Sequence, residues 1–352
     1  MKVSIGTNIK DGPWGGGNLF AINLKNYLES NKHKVVNNLD EDDIDLILLT
    51  EPRRTSESSS FTHIDILKYR QFVKRDVVVV HRINECDERK NTNFVNQYLI
   101  EANKSADATV FVSSWLKELF LEQGLNCEKI SVIMSGANNK IFYDQNKKKF
   151  DNKTLNLVTH HWGANWNKGF EIYQLLDEYL EDDDFRSKYS FTYIGNLPNK
   201  FRFKNTRLVE PLSGSILADE IRKNDVYLTA SLNEPSGNHH IEGAQCGLPI
   251  LFIDSGGVSE YCKEFGVMFN KYNLKEKLDE IFLNYSSYKE KMNSYPNNSD
   301  IMCKNYMDLF ENLIEEKNDL MKNRKTPNLI NFFEKLIYLN SRRLKKFINK
   351  SD

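Results

Sequence analysis

The first half of the chain alternates short apolar runs with stretches of helical periodicity. Helices are predicted at Leu19–Ser30 and around Trp115–Gln123. The apolar runs predict strands at Val3–Ile5, Ile44–Thr50, Val77–Val80, Ala108–Val112 and Ile130–Met134. Strands that are apolar almost throughout are typical of a parallel sheet covered by helices on both faces. The pattern therefore predicts an α/β domain over residues 1–150.

A polar, lysine-rich segment at Asp144–Lys153 interrupts this alternation and has the composition of a linker between domains. The alternation then resumes with four further strands and three helices. They are Leu155–Thr159, Phe170–Leu180, Phe191–Ile194, Ile216–Lys223, Val226–Leu228, His239–Cys246 and Pro249–Ile253. These elements predict a second α/β domain over residues 151–298, followed by a charged helical region over 299–352.

Composition narrows the class of protein. A length of 352 residues suits two domains, and a formal net charge of −1 argues against a general nucleic-acid binder. The five cysteines are odd in number and widely spaced, which argues against a disulfide framework or a zinc site. Neither a membrane-length apolar stretch nor a signal peptide is evident, so the sequence predicts a cytoplasmic location.

The segment from Glu234 to Glu242 carries the clearest chemistry. Glu234 follows a predicted strand, at the sheet edge where open α/β sheets bind ligands. Gly237 allows close backbone approach, and a helix beginning near Asn238 and His239 would offer free N–H groups to a diphosphate. A carboxylate at Glu242 could accept hydrogen bonds from the two ribose hydroxyls.

Two glutamates separated by seven residues, followed by Gly247, Pro249 and a strand, resemble the signature of the retaining glycosyltransferase family 4. The resemblance implies the GT-B fold: two Rossmann-like domains with parallel sheets that face each other across a cleft. The first domain would lie on the acceptor side and the second would bind the nucleotide sugar. A helix at Met302–Leu313 would pack back on the first domain.

Two further loops also match that family in part, one with three consecutive glycines and one with two adjacent histidines. Gly15, Gly16 and Gly17 open the first helix and would approach the donor. In the second domain, Lys168 matches a lysine that neutralises the diphosphate, but the arginine that normally precedes it is absent. His160, His161 and Trp162 stand there instead. A histidine of this loop, Lys200 or Arg202 is expected to supply the missing donor or charge.

His81 follows the valine-rich strand directly, where family members commonly place a histidine that faces the sugar. It is therefore predicted to contact the transferred hexose or the acceptor, with a structural histidine as the alternative. The loop beside it is rich in charge and is predicted to recognise a polar acceptor. Its charged residues are Arg82, Glu85, Asp87, Arg89 and Lys90.

The resemblance implies transfer of a hexose, with retention of anomeric configuration and without a metal or other cofactor. Glu234, His81 and Lys168 would be the catalytic residues. The acceptor would be a glycan or a lipid-linked molecule, and bacterial surface polysaccharide synthesis is the usual setting. The alternatives are a protein of the same fold that binds nucleotide sugars without turnover, and a sugar phosphorylase or epimerase.

The last part of the chain, Lys322–Asp352, interleaves basic and apolar residues. A basic amphipathic helix can lie on an anionic membrane surface, so the sequence predicts weak peripheral association with the membrane's inner face. Docking of this tail on the protein itself, or pairing with a second chain, is the alternative.

Overall fold

The computed structural model describes residues 1–10, 15–145, 150–324, 338, 341 and 342. These residues form two six-stranded sheets, and every strand pair within them is parallel. Helices cover both faces of each sheet. The architecture is α/β with two Rossmann-like domains, as the alternation of apolar runs predicts.

The first sheet has the strand order β2-β1-β3-β4-β5-β6. Its strands are β1 (Lys2–Ile5), β2 (Lys34–Val36), β3 (Leu46–Leu49), β4 (Val78–Ile83), β5 (Ala108–Phe111) and β6 (Ile130–Val132). The helices of this half are α1 (Gly16–Ser30), α2 (His63–Phe72), α3 (Asp87–Lys90), α4 (Val95–Asn103) and α5 (Ser114–Glu122). Because the chain leaves β1 towards β2 and then returns to its other side with β3, the strand order reverses at β1.

The second sheet has the strand order β12-β11-β10-β7-β8-β9. Its strands are β7 (Leu155–His161), β8 (Tyr189–Gly195), β9 (Arg207–Val209), β10 (Val226–Thr229), β11 (Ile250–Ile253) and β12 (Gly266–Phe269). The helices are α6 (Phe170–Tyr179), α7 (Asp183–Lys188), α8 (Gly214–Ile221), α9 (Asn238–Gln245), α10 (Val258–Cys262), α11 (Leu274–Leu283) and α12 (Tyr285–Lys291), with 3-10 turns at Trp166–Lys168 and Met292–Ser294. Here the order reverses between β7 and β10.

Two helices follow the second domain: α13 (Ser299–Glu315) and α14 (Lys317–Asn323). Helix α13 crosses back to the first domain, where Tyr306 and Phe310 join the core formed by β1, β3 and α1. The rings of Phe20 and Tyr306 lie edge to face with centroids 5.1 Å apart. Burial of these aromatic side chains ties the end of the second domain to the first.

The structure lengthens or shortens most predicted strands by one to three residues and adds strands that the apolar pattern does not mark. Two of the added strands, β2 and β9, are three-residue sheet edges that are largely exposed. The third, β12, begins at a glycine and exposes alternate residues. Edge strands bury little surface, so they carry no continuous apolar run.

Most of the predicted basic tail lies outside the described residues. Of the part that is described, Arg324 pairs with Asp107, and Arg342 pairs with Asp42 at 2.9 Å and stacks over Tyr69. Among the described helices, none has the length and apolar character that a membrane-spanning helix needs.

Candidate functional site

Most of the predicted site residues, His81 excepted, lie near the points where the strand order of each sheet reverses. In the second domain, His160 and His161 end β7, and Glu234 follows β10, its neighbour in the sheet. In the first domain, Gly15, Gly16 and Gly17 follow β1 at the start of α1. The carboxyl edge at such a reversal is where open parallel sheets form a ligand crevice. The two crevices face each other.

Glu234 is buried and holds two cations from opposite domains. Its Oε2 accepts a hydrogen bond from Nζ of Lys168 at 2.7 Å. Its Oε1 lies 2.9 Å from Nε of Arg89, in an ion pair without hydrogen-bond alignment. Burial alone would raise the pKa of Glu234, but Lys168 and Arg89 outweigh it and lower that pKa to about 2. The carboxylate is therefore ionised at neutral pH.

A tight glycine turn fixes the backbone around Glu234. The N–H of Gly257 donates to the carbonyl oxygen of Glu234 at 2.9 Å. Gly256 has φ +68°, and a Cβ there would lie 2.5 Å from that same oxygen, so only glycine fits. Ser255 accepts a hydrogen bond from the N–H of Asn233. This turn thus positions the carboxylate.

The start of α9 lies against the glycine loop of the other domain. Gly237 precedes the helix with φ 74°, and a Cβ there would clash with His240. Across the cleft, a Cβ on Gly16 would lie 2.7 Å from the side-chain nitrogen of Asn238. Two helix N-termini, those of α1 and α9, therefore meet at this point, and both carry partial positive charge. The predicted glycine loop begins at residue 12, and its residues 12–14 lie outside the described residues.

Glu242 sits one turn into α9 and is paired with a histidine. Nε2 of His160 lies 2.8 Å from Oε2 of Glu242, while its Nδ1 lies 3.0 Å from the hydroxyl of Tyr227. A carboxylate only accepts, so Nε2 carries a proton, and Nδ1 is held by the tyrosine hydroxyl. His160 therefore contacts Glu242 through one nitrogen and is oriented through the other.

Three further histidines form a buried group behind this pair. His161 lies 2.8 Å from the Tyr173 hydroxyl, and His239 lies 2.8 Å from the Thr229 hydroxyl. Burial lowers the pKa of His161 and His239 well below the usual range and that of His240 to about 3. These imidazoles are neutral at pH 7, so they supply no cation to a diphosphate. The predicted donor contacts of His161 and His239 stay predictions.

His81 lies inside β4 with no exposed surface. Its Nδ1 is 2.8 Å from Oδ1 of Asn103, and its Nε2 makes no hydrogen bond to a described residue. Burial lowers the pKa of His81 to about 4. In this conformation the imidazole is part of the core, so its predicted contact with the sugar stays a prediction and needs a rearrangement of the groups around it.

The residues of the predicted charged loop make different contacts. Arg82, which the structure places within β4, stacks over Phe20 with 3.9 Å to the ring centroid. Glu85 pairs with both Arg53 and Lys90. These residues border a cavity of about 250 Å³ at the carboxyl edge of the first sheet. Its lining is Thr7, Gly17, Thr50, Glu51, Pro52, Arg53, Ser56, Ser58, Arg82, Ile83, Asn84, Glu85, Lys90 and Leu99.

A histidine of the loop before Lys168, Lys200 or Arg202 is predicted to replace the missing arginine, and this stays a prediction. Arg202 donates to the neighbouring carbonyl of Phe201, on the loop after β8. Arg89, which the sequence assigns to acceptor recognition, is the arginine beside Glu234 and Lys168. No sequence pattern marks it, because domain packing creates the contact. Among the described residues, no group of three or more His, Cys, Asp or Glu side chains is arranged to hold a metal ion.

Comparison with protein-family models and with curated proteins gives no match. Solved structures match over nearly the whole chain. HepE from Anabaena in complex with UDP has a TM-score of 0.64 at 12% identity, with 89% of this chain and 100% of that chain covered. The chain has the GT-B fold. A glycosyltransferase from Rickettsia africae has a TM-score of 0.60 at 14% identity, with 92% and 99% covered.

A third structure, sucrose-phosphate synthase from Thermosynechococcus elongatus, has a TM-score of 0.58 at 12% identity and covers 89% of this chain and 99% of its own. The GT-B fold agrees with the architecture predicted from the sequence. At such low identity the likeness shows the fold, and the site residues above carry any argument about chemistry.

Proposed function

We propose that this GT-B chain is a glycosyltransferase that moves a sugar from a nucleotide-diphosphate sugar to a glycan or lipid-linked acceptor. One observation carries the proposal. Glu234 is an ionised, buried carboxylate held by Lys168 at the strand-order reversal, directly before the N-terminus of α9 and opposite the glycine loop. Such an arrangement would offer an anion to the sugar hydroxyls, beside a cation and helix N–H groups that a diphosphate could bind.

In the proposed reaction the bond between the sugar and the diphosphate breaks, and negative charge develops on the leaving nucleotide. Lys168 and the first N–H groups of α9 are fixed in place before the donor binds, so they can stabilise that charge without reorganisation. Glu234 would accept hydrogen bonds from hydroxyls of the transferred sugar. Glu242, oriented by His160, would accept hydrogen bonds from the ribose.

The acceptor would bind in the cavity of the first domain. Gly17 lines this cavity, so it adjoins the glycine loop that faces α9. Ion-paired Glu51, Arg53 and Glu85 on its wall offer both donors and acceptors of hydrogen bonds. Such a wall suits a polyhydroxylated acceptor.

We further propose the mechanistic class that the sequence resemblance implies: a family 4 hexosyltransferase that retains anomeric configuration without a metal ion. Two measurements test these points once a donor is known. Proton NMR of the fresh product gives its anomeric configuration, and an inverted product would exclude retention. Turnover after exhaustive dialysis against EDTA tests metal independence, and activity restored only by a divalent cation would contradict it.

The central experiment measures release of nucleoside diphosphate from sugar donors, chosen by a thermal-shift screen of common nucleotide sugars. We expect Glu234→Gln to lower turnover about 100- to 1,000-fold, because an oriented anion at the sugar is lost. Glu210→Gln, an exposed glutamate of the same domain, is the control and should retain full activity. If the intact chain binds no nucleotide sugar, the proposal fails.

The alternative is a protein that binds nucleotide sugars without turnover. The arginine missing before Lys168 is the feature that favours it. The same assay of nucleoside diphosphate release distinguishes the two functions. Binding without any release of nucleoside diphosphate, with acceptor mixtures present, would support the binding protein.

Location and setting are also proposals: synthesis of bacterial surface polysaccharide, with peripheral association at the inner face of the membrane through the basic tail. Flotation with anionic liposomes tests the association. A variant that ends after Arg324 should float less than the intact chain. Equal flotation would exclude the tail as an anchor and would favour docking, the arrangement in which Arg342 pairs with Asp42.

A further inference from the structure

Glu234 lies between cations from both domains, and only one of them belongs to the domain predicted to bind the donor. Lys168 comes from the turn before α6, and Arg89 from α3 of the first domain. Together the three groups hold two positive charges and one negative charge. The site therefore has a surplus cation, which is the arrangement expected of a place that receives an anion.

The position of Arg89 is fixed by the structure of its own domain. The carboxylate of Asp87 accepts hydrogen bonds from the first N–H groups of α4, including that of Val95 at 2.9 Å. The side chain of Asn96 accepts from the N–H of Asp87 at 2.8 Å. These bonds anchor the short helix α3 on α4, so the guanidinium extends into the cleft from a rigid base.

A contact across the cleft holds the same helix against the second domain. The side chain of Asn233 donates to the carbonyl oxygen of Glu88 at 3.2 Å. Asn233 directly precedes Glu234 in the chain, and Glu88 directly precedes Arg89. The ion pair is therefore part of the contact between α3 and the segment that follows β10.

Arg89 is well suited to change partners. Its side chain is 31% exposed, whereas that of Lys168 is 12% exposed and that of Glu234 is 7% exposed. Its Nε makes no aligned hydrogen bond to a described residue, although it lies 2.9 Å from the carboxylate. A guanidinium has five N–H donors and binds phosphate oxygens through two of them at once.

Resting on the proposed function, we infer that Arg89 binds the diphosphate of the donor together with Lys168. It supplies, from the first domain, the second cation that the loop before Lys168 lacks. Glu234 holds both cations in place until the donor arrives. The diphosphate then takes the guanidinium, and the freed carboxylate oxygen turns to the sugar hydroxyls.

This assignment couples donor binding to the arrangement of the domains. Lys168 and Arg89 can reach one diphosphate only while α3 remains against the segment after β10. A donor gripped from both sides therefore stabilises the closed cleft, and the donor's affinity depends on closure.

The test is isothermal titration of the full-length chain with nucleoside diphosphates. Of UDP, GDP, ADP and dTDP, the ligand that binds the intact chain best is compared with its monophosphate. We expect Arg89→Ala to weaken diphosphate binding about 10- to 100-fold, the range for one charge-assisted contact. Monophosphate binding should change less than about threefold, and Arg89→Lys should recover part of the diphosphate affinity.

Arg202→Ala is the matched control, because Arg202 is an alternative source of the missing charge. The affinity of this variant for the diphosphate should match that of the intact chain. A diphosphate affinity of Arg89→Ala equal to that of the intact chain would overturn the inference and leave the proposed function standing. Equal losses for diphosphate and monophosphate, or a loss in Arg202→Ala in place of Arg89→Ala, would also overturn it. Failure of the intact chain to bind any of the four diphosphates would count against the proposed function itself.

Discussion

The two walls of the cleft are built differently. On the second domain, Glu234, Glu242 and His160 are buried and Lys168 is nearly so, and two hydrogen bonds join Glu234 with Lys168 and Glu242 with His160. On the first domain, the glycine loop is largely exposed, and the charged groups come from the ends of separate strands. Burial and hydrogen bonds fix the geometry of the second wall, whereas the first wall keeps room for a ligand. This contrast suits a fixed donor site facing an open acceptor site.

The largest effect on this comparison should come from removing the buried cation. Lys168→Met leaves Glu234 with Arg89 alone in a buried setting, and breaking a buried ion pair costs about 3 kcal/mol. We expect the free energy of unfolding of the second domain, measured by urea titration at pH 7.5, to fall by about 2–3 kcal/mol.

Lys271→Met is the control for that measurement. Lys271 pairs with Glu171 on the surface, with about half of each side chain exposed, so its loss should leave the free energy of unfolding nearly unchanged. Equal losses in the two variants would mean that the buried ion pair stabilises the second domain no more than the surface ion pair does.

A smaller effect should follow from loosening the contact between the walls. Both carboxylate oxygens of Glu260, on α10, accept backbone N–H groups at the start of α5: Ser114 at 2.8 Å and Trp115 at 2.7 Å. Glu260→Gln removes the charge and one acceptor at this helix N-terminus, a loss of about 1–2 kcal/mol. We expect the amides of Ser114 and Trp115 to exchange hydrogen about 10-fold faster by NMR.

Glu264→Gln, an exposed change just beyond α10, should leave those amides unchanged. If exchange in Glu260→Gln equals that of the intact chain, the two domains are held together by other contacts, such as the hydrogen bond from Tyr261 to the carbonyl of Val112.

A third prediction concerns the pair on the donor wall. If His160 orients Glu242 towards a ribose, His160→Phe should reduce discrimination between a ribonucleoside diphosphate and its 2′-deoxy analogue. The expected loss is about 5- to 10-fold, which corresponds to one hydrogen bond of about 1 kcal/mol. Titration calorimetry with both ligands measures the ratio. Parallel weakening of both, with the ratio unchanged, would assign Glu242 to another task.

The sequence predicted one wall far better than the other, for a physical reason. Glu234, Gly237 and Glu242 belong to a single strand-turn-helix segment, so their spacing together with the surrounding pattern indicates their placement. Arg89 reaches Glu234 only through the packing of two domains, and an arginine in a loop of mixed charges leaves no pattern.

The same reasoning applies to the fold. Central strands such as β3 are apolar throughout because helices cover both faces, and the pattern predicts them. The edge strands β2 and β9 are held by backbone pairing and packing on one neighbour, which the sequence does not mark. His160 and His161 are adjacent in β7, so they point to opposite faces, and the sequence alone does not tell which one reaches Glu242.

The smallest expected effect concerns His81, for which the sequence and the structure suggest different roles. The folded-state pKa of His81, about 4, lies below the value of 6.5 expected when unfolded. The unfolded chain therefore binds the proton first as pH falls, so the stability that neutral His81 contributes is present above pH 6.5 and is lost on acidification towards pH 4. Between pH 6.5 and 5.5 the intact chain should lose about 1 kcal/mol more than His81→Gln, measured by urea unfolding of the first domain. Equal pH dependence, together with a large rise in KM for the donor or acceptor, would instead place the imidazole at the sugar and require that β4 opens towards the cleft.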